Sequence, residues 1–271
     1  MSNLPPEGEL EARVGQLERQ ALLVETHFTE AFWKALDVAY DAIMPHRQIH
    51  CIVCDHTDLR DGFEILIDQC IFHGGRLERY RCPQCECIFG PMKYLDLDEA
   101  FVSRDYKLLY SRYSEGDSTT SEIRTFHSLQ PEPGATYLDW GSGGPWSRTV
   151  AQLRREGWQV LAYEPSAETA GDYLLSRRDA LASRFDGIFS NNVIEHFRNP
   201  VAQFRQFHDL LNERGVMAHS SPCYDYNVTY TRFHTLFLTG RSLGVLAERT
   251  GFAIVNSVRD GDYINHVLSR I

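Results

Sequence analysis

Basic charge is scarce in this chain: 27 Lys and Arg stand against 37 Asp and Glu, a formal net charge of −10 over 271 residues. A phosphate-backbone partner calls for the opposite sign, and no local basic patch overrides the balance, so nucleic acid is not expected. Long apolar runs are missing too, none approaching the roughly 18–20 residues of a membrane span. Residues 1–9 have neither the basic start nor the apolar stretch of a secretory signal. The cysteines do not look like a disulfide framework. There are seven, an odd number set largely in close pairs, which fits a reducing, cytoplasmic setting. The length suits one medium domain plus an accessory module.

What is there centres on Thr136–Pro165. Tyr137-Leu138-Asp139-Trp140 reads as a buried strand, Gly141-Ser142-Gly143-Gly144 as a turn into a helix, and Val160-Leu161-Ala162-Tyr163 as a second strand ending on Glu164-Pro165. A chain that leaves a strand and enters a helix at once needs glycines, both for unusual φ and so that a ligand can reach the backbone. Glu164 lies 21 positions after Gly143, close to the roughly 20 expected of an acid that accepts ribose hydroxyls. This is the pattern of a βαβ nucleoside site. A dinucleotide fingerprint would want a small residue where Trp146 stands and an open helix N-terminus where Pro145 removes a donor. Asp139 would face the phosphates. A cationic or zwitterionic ligand tail suits that acid better.

These residues resemble the first motif of class I S-adenosylmethionine-dependent methyltransferases, an acid-x-Gly-x-Gly-x-Gly that Asp139, Gly141 and Gly143 match, with Pro145 at the third glycine. A second match lies further on. Phe185-Asp186, the run Ile188-Phe189, Glu195-His196 and Pro200 resemble the family's fourth motif. The resemblance implies S-adenosyl-L-methionine as cofactor, with Asp139, Gly141, Ser142, Gly143, Glu164 and Pro165 around it. Ser190 and Asn191 would approach through backbone or amide, and Asp179 would sit near the adenine. It also implies a Rossmann-like, doubly wound seven-stranded α/β sheet over residues 134–271. Helices are expected at 166–175, at 201–212 with Gly215 as its cap, and at 241–250 with Gly251 as its stop. Strands are expected at 216–219, 253–258 and 263–268.

Ahead of that body lie three further segments. Residues 1–48 carry Leu10, Val14, Leu17, Ala21, Val24 and Phe28 alternately four and three apart, then a second stripe of Phe32, Leu36, Ala39 and Ile43. Both belong to one helix over 8–44 that Pro45 stops. Its seam either packs on the chain's own body or serves homo-oligomerisation or partner docking. In 49–92, Cys51-Ile52-Val53-Cys54 and Cys82-Pro83-Gln84-Cys85 are two C-x-x-C turns separated by 27 residues. Four thiolates can close a structural Zn²⁺ site, with a hairpin at Gly74-Gly75 bringing the turns together. His50, His56, Cys70, His73 and Cys87 are then ordinary side chains. A closed site leaves no open position for catalysis. The connector 93–133 holds Tyr94, Tyr106, Tyr110 and Tyr113, which either line the cofactor site as a lid or tie the modules together.

Methyl transfer from a sulfonium is an in-line displacement that needs alignment and a sink for the acceptor's proton. His196 and His234 are the general-base candidates, with Asp225 and Glu195 nearby. The aromatic stretch 223–234 is the expected acceptor contact. A zinc module ahead of a class I core is similar to bacterial methyltransferases of sugar and surface-polysaccharide synthesis, so O-methylation of a sugar, glycan or other small hydroxylated metabolite is expected. Nucleotide-sugar C-methyltransferases have an added C-terminal domain that the chain does not show. A catalytically weak zinc-bearing scaffold is the other alternative. Ser190-Asn191-Asn192-Val193 replaces the tetrapeptide typical of amino-group methylation.

Overall fold

A computed structural model describes residues 7–110, 113, 116–144, 146–165, 167 and 171–271. The first element, α1 (Glu7–Ile43), gives way to a 3₁₀ turn, Met44–His46, where Pro45 removes a donor. The side of α1 that meets the body is shifted by one residue from the expected second stripe. Trp33 is buried and Leu36 and Tyr40 are half-buried, with Met44 buried just beyond the helix, whereas Phe32, Ala39 and Ile43 are exposed. Two short strands, β1 (Ile49–His50) and β2 (Thr57–Asp58), pair around the first cysteine turn. A hairpin follows, β3 (Glu64–Gln69) against β4 (Arg76–Arg81), and β5 (Ile88–Phe89) adds beside it.

Helices α2 (Met92–Leu95), α3 (Glu99–Tyr110) and α4 (Thr119–Ser128) lead into the body. There β6 (Thr136–Trp140), α5 (Arg148–Arg155), β7 (Gln159–Tyr163), α6 (Arg177–Ala182), β8 (Phe185–Asn191), α7 (Pro200–Leu210) and β9 (Leu211–Ser220) alternate. The chain closes with β10 (Leu236–Phe237), α8 (Ser242–Thr250), β11 (Phe252–Asp260) and β12 (Tyr263–Arg270). Local chemistry sets the helix starts. Ser147 Oγ accepts from Val150 N at 3.1 Å to cap α5, and Asn199 Oδ1 accepts from Ala202 N at 3.1 Å to cap α7, which opens on Pro200.

Among the described residues the main sheet has six strands in the order β11-β12-β9-β8-β6-β7. Strands β7, β6, β8 and β9 are parallel, and β12 and β11 are antiparallel. The seventh strand expected from the sequence is reduced to a single bridge. Leu174 pairs with Ala162, through Ala162 N to Tyr173 O and Leu175 N to Ala162 O, each 2.8 Å. This also corrects the helix expected at 166–175. Among its described residues, Ala167 and 171–175, none is helical; 166 and 168–170 lie outside the described residues. The helix expected over 201–212, with Gly215 as its cap, ends at Leu210 instead, because Leu211 is extended (φ −84°, ψ 143°) and pairs with Phe185.

Successive residues of the central strands point to opposite layers. Leu138, Ile188 and Met217 enter one core with α7 and α8. Tyr137, Phe189 and Ala218 enter the other with Phe126 of α4 and Leu153 of α5. The first core continues without a break into Cys51, Val53, Phe63, Tyr80 and Phe89 of the cysteine-bearing segment. That segment's sheet runs β10-β5-β4-β3, so it takes a strand from the body. Fully buried Arg79 donates to the Thr231 carbonyl at 2.8 Å, and buried Arg232 forks onto Asp105 of α3 with two 2.7 Å bonds.

Candidate active site

From β6 the chain passes to β7 on one side, then crosses back to β8 on the other side of β6 and goes on to β9, so the strand order reverses there. In an open α/β sheet, that reversal opens a crevice at the carboxyl ends of the strands. The glycine turn fills its floor. Gly141 has φ 80°, and a Cβ there would stand 2.7 Å from Val193 Cγ2. Gly143, at φ 75°, would have nothing within 4 Å of a Cβ and so presents bare backbone to open space. Gly141 N donates to Tyr163 O at 2.8 Å, tying the turn to the end of β7, and Gly143 N donates to Glu164 Oε2 at 3.0 Å.

The cleft above has a volume of about 1570 Å³. Of the residues assigned to the cofactor from sequence, Gly141, Ser142, Gly143, Glu164, Pro165 and Asn191 line it. Asp139 lies buried below the turn. Ser190 is not in the wall: it is fully buried and bonded to His219 Nδ1 at 2.7 Å, which turns its hydroxyl into the core. Asp179 is not in the wall either. Its carboxylate accepts from Ser176 Oγ at 2.6 Å in the first turn of α6, where Ser176 is the cap. From the connector, Tyr94 and Tyr106 reach the cleft. Tyr113 packs instead on Phe72 at 5.2 Å, and the side chain of Tyr110 lies outside those described.

Glu122 is a member that sequence reasoning missed. It lines the cleft from α4, accepting from Ser118 Oγ and Thr149 Oγ1. Nothing in its surroundings in the sequence marks it, because only packing of α4 on β8 and α5 brings it to the turn. Together Glu122, Asp139 and Glu164 make the floor acidic. Burial pushes the Asp139 carboxyl well above the usual carboxylate range; Glu122 and Glu164 push the same way, and the Ser147 hydroxyl pulls weakly back. Among the described residues Asp139 Oδ2 has no hydrogen-bond partner. An adenosine donor with a cationic tail fits this floor. The open backbone at Gly143, the carboxylate of Glu164 at the cleft wall and the desolvated acid of Asp139 are the features that fit it.

The two histidine candidates separate. His196, in the short turn after β8, lines the cleft, and its Nδ1 stands 3.1 Å from the Phe233 carbonyl. A carbonyl there requires the proton on Nδ1 and leaves Nε2 as the basic nitrogen. His234 does not line the cleft. It stands behind His196, ring centroids 5.0 Å apart, with Nδ1 3.0 Å from the Val228 carbonyl. Burial first, then His196, hold its imidazole well below the usual range. Buried Glu195 completes a group in which one ligand atom from each residue lies within 4.8 Å of the others, and its Oε2 accepts from Ser221 Oγ at 2.9 Å. Asp225 is drawn away to Arg259, and Tyr226 to Asp68.

On the far side of the shared core the two cysteine turns repeat one geometry. In each, the residue after the second cysteine takes a left-handed φ (Asp55 61°, Glu86 68°) and donates back to the first cysteine's carbonyl, at 3.0 and 2.9 Å. Cys51 Sγ lies 3.6 Å from Cys85 Sγ and Cys54 Sγ lies 3.5 Å from Cys82 Sγ, all four within 4.8 Å. Thiolates about 2.3 Å from a tetrahedral Zn²⁺ stand roughly 3.8 Å apart, so the donor set suits that ion.

An acid-floored nucleoside crevice at the switch point of a mixed sheet is the architecture of a class I methyltransferase. Residues 114–257 match the family described as Methyltransferase domain. The chain belongs to that family and is an S-adenosylmethionine-dependent methyltransferase. No curated protein matches it. Among solved structures it is similar to the Burkholderia thailandensis 1,6-didemethyltoxoflavin-N1-methyltransferase with bound 1,6-didemethyltoxoflavin and S-adenosylhomocysteine, at 17% identity and TM-score 0.47, covering 72% of this chain and 95% of that one. It is also similar to the glycopeptide N-methyltransferase MtfA with S-adenosylhomocysteine, at 14% identity and TM-score 0.45, covering 62% and 98%. A third is the putative methyltransferase in complex with the Haloferax volcanii Trm112 activator, at 14% identity and TM-score 0.45, covering 64% and 95%. None of the described helices is long and apolar enough to cross a membrane.

Proposed function

We propose that this methyltransferase acts on a hydroxyl of a sugar, glycan or other small polyhydroxylated metabolite, with His196 as the general base. The observation that carries the reading is that His196 and the Gly143–Glu164 floor face one cleft, His196 with its proton held on Nδ1 by the Phe233 carbonyl. Bound S-adenosylmethionine supplies an electrophilic methyl group that needs no further activation. Glu164 accepts its ribose hydroxyls, the Gly141–Gly143 backbone and Pro165 shape the near wall, and Asn191 offers an amide at the end of β8. Asp139 becomes ionised beneath the cationic tail. Nε2 of His196 would take the proton that the acceptor hydroxyl loses as its oxygen bonds to the methyl carbon and the methyl–sulfur bond breaks, its electron pair leaving on the sulfur as the neutral thioether.

The rest of the cleft supports a polyhydroxylated acceptor. Asn192, Asn199, Gln203 and Gln206 line it with amides that both donate and accept, beside the rings of Tyr106 and Phe233. Amides bond hydroxyls in either sense, and aromatic faces cover the C–H faces of a sugar ring. The stretch at 223–234 serves this less directly than its sequence suggests, since only Phe233 of it lines the cleft. In the same reading Cys51, Cys54, Cys82 and Cys85 hold a structural Zn²⁺ that fixes the module against the body.

Calorimetry with S-adenosylmethionine, then with Glu164→Ala, tests the donor half: affinity falls by about 10- to 100-fold, the loss of one or two charge-assisted hydrogen bonds. Mass spectrometry of products from a panel of nucleotide sugars, glycans and phenols tests the acceptor half. Methyl groups on nitrogen or carbon only would refute it.

A further inference from the structure

The seam of α1 does not pack on the chain's own body. Val14, Leu17, Ala21, Val24 and Phe28 are all exposed, Phe28 at 73% and Leu17 at 60%. The spacing also does not stop at Phe28. It continues through Ala31, Ala35, Val38 and Ala42, again all exposed, so one apolar a/d stripe runs over nearly the whole helix. The body is met by the other side. Trp33 and Tyr40 fall at the f position of the same heptads, diametrically away from the seam. The helix thus has two apolar faces, and among the described residues only one is covered by the chain itself.

Its first half has little support. Residues 11–24 are exposed on every side, with only Gly15 partly covered, and a helix of this kind is marginal in water without a partner face. The side chains of Glu7–Leu10 lie outside those described, so the seam is argued from Val14 onward.

We infer that this face pairs with a second copy of the chain as a parallel two-stranded coiled coil. The flanking charges select the occupant and its direction. With Val14 at a and Leu17 at d, the e positions are Glu11, Glu18 and Glu25, then the uncharged Phe32 and Ala39, while the g positions Arg13, Gln20, His27 and Lys34 carry no acid before Asp41 at the far end. In a parallel pair each g residue meets the e residue of the next heptad on the other helix. Arg13 then faces Glu18 of the partner subunit, and Gln20 faces Glu25 of the partner subunit. An antiparallel pair would set the acids against one another and Arg13 and Lys34 among themselves. Larger side chains between Val14 and Phe28 carry most of the contact, and alanines beyond Ala31 let the helices run close. Because the bodies attach at f, the two lie on opposite flanks of the pair and both clefts stay open.

Light scattering on the full-length chain at tens of micromolar tests this: the expected mass is twice the 31.1 kDa of one chain. Leu17→Asp with Val24→Asp returns it to a single chain while S-adenosylmethionine affinity, read by calorimetry, stays the same and reports an intact body. Arg13→Glu weakens the dimer at least tenfold, and Arg13→Glu with Glu18→Arg restores it. Leu17→Cys and Val24→Cys, made singly, both cross-link on oxidation in the parallel arrangement, whereas an antiparallel pair allows at most one. A wild-type mass of one chain, or of three or four, overturns the inference. So does a dimer that survives Leu17→Asp/Val24→Asp with the body intact. Cross-linking at only one of the two cysteines overturns the parallel direction.

Discussion

Two sites sit on one continuous core and are built to opposite ends. In the cysteine module, each turn bonds back on itself and four sulfurs converge on one point beside the core that holds Val53, Tyr80 and Phe89. In the crevice, glycines hold the backbone open and a buried carboxylate oxygen is left without a partner among the described residues. The first is closed, as a site for a structural metal would be. The second holds a desolvated carboxyl whose ionisation a cationic ligand would favour, as a site that exchanges its ligand could use. Stability and function are therefore expected to respond in opposite directions at the two places.

The contrast breaks most visibly at the cysteines. Cys82→Ser should lose the bound metal, read by plasma emission, and lower the melting temperature by about 10 °C or more. A structural zinc contributes on the order of 10 kcal/mol of apparent binding free energy to small domains, and this core is shared. Cys87→Ala, equally buried but outside the four, should retain one metal per chain.

His196→Ala should reduce kcat by about 10²- to 10⁴-fold, the usual worth of a general base, with donor affinity unchanged. His234→Gln tests the assignment of the wall residue against the one behind it. It should cost less, by displacing the His196 ring instead of removing a base.

At Asp139 the two properties part company. A carboxyl whose folded pKa lies above its unfolded value contributes a penalty that sets in as pH rises through that interval and is complete above it. Asp139→Asn removes the penalty at pH 7–8. The melting temperature should rise by roughly 2–4 °C for about 1 kcal/mol at this chain length, while donor affinity falls. Proton release on donor binding, read as a buffer-dependent calorimetric enthalpy, should vanish with it.

At pH 5–6 the smallest effect concerns acid stability. Burial lowers His219 to about 3, and burial with Arg259 lowers His266 to about 4. Histidines depressed on folding stabilise fully above the unfolded pKa, near 6.5, and lose that contribution as pH falls towards the folded value. Unfolding free energy should therefore decline below pH 6.5, by up to about 1.4 kcal/mol per unit for fully buried His219. His219→Asn, which keeps a polar atom towards Ser190 and does not titrate, should flatten that slope.

What the sequence by itself determined are features carried by short spacings: the glycine turn, Glu164 21 positions on, the paired C-x-x-C turns and the heptad seam of α1. Each is legible because its partners lie within one or two elements, so local periodicity or turn chemistry suffices. Ser190 and Asp179 show the limit. Both stand where a motif puts them, yet His219 and Ser176 claim their side chains. Only the tertiary structure decided that Glu122 joins the acidic floor, that the seventh strand shrinks to Leu174, and that β10 completes the module's sheet. It also decided which face of α1 is already taken. These depend on contacts between residues far apart in the chain, where burial, not the neighbouring sequence, chooses the partner.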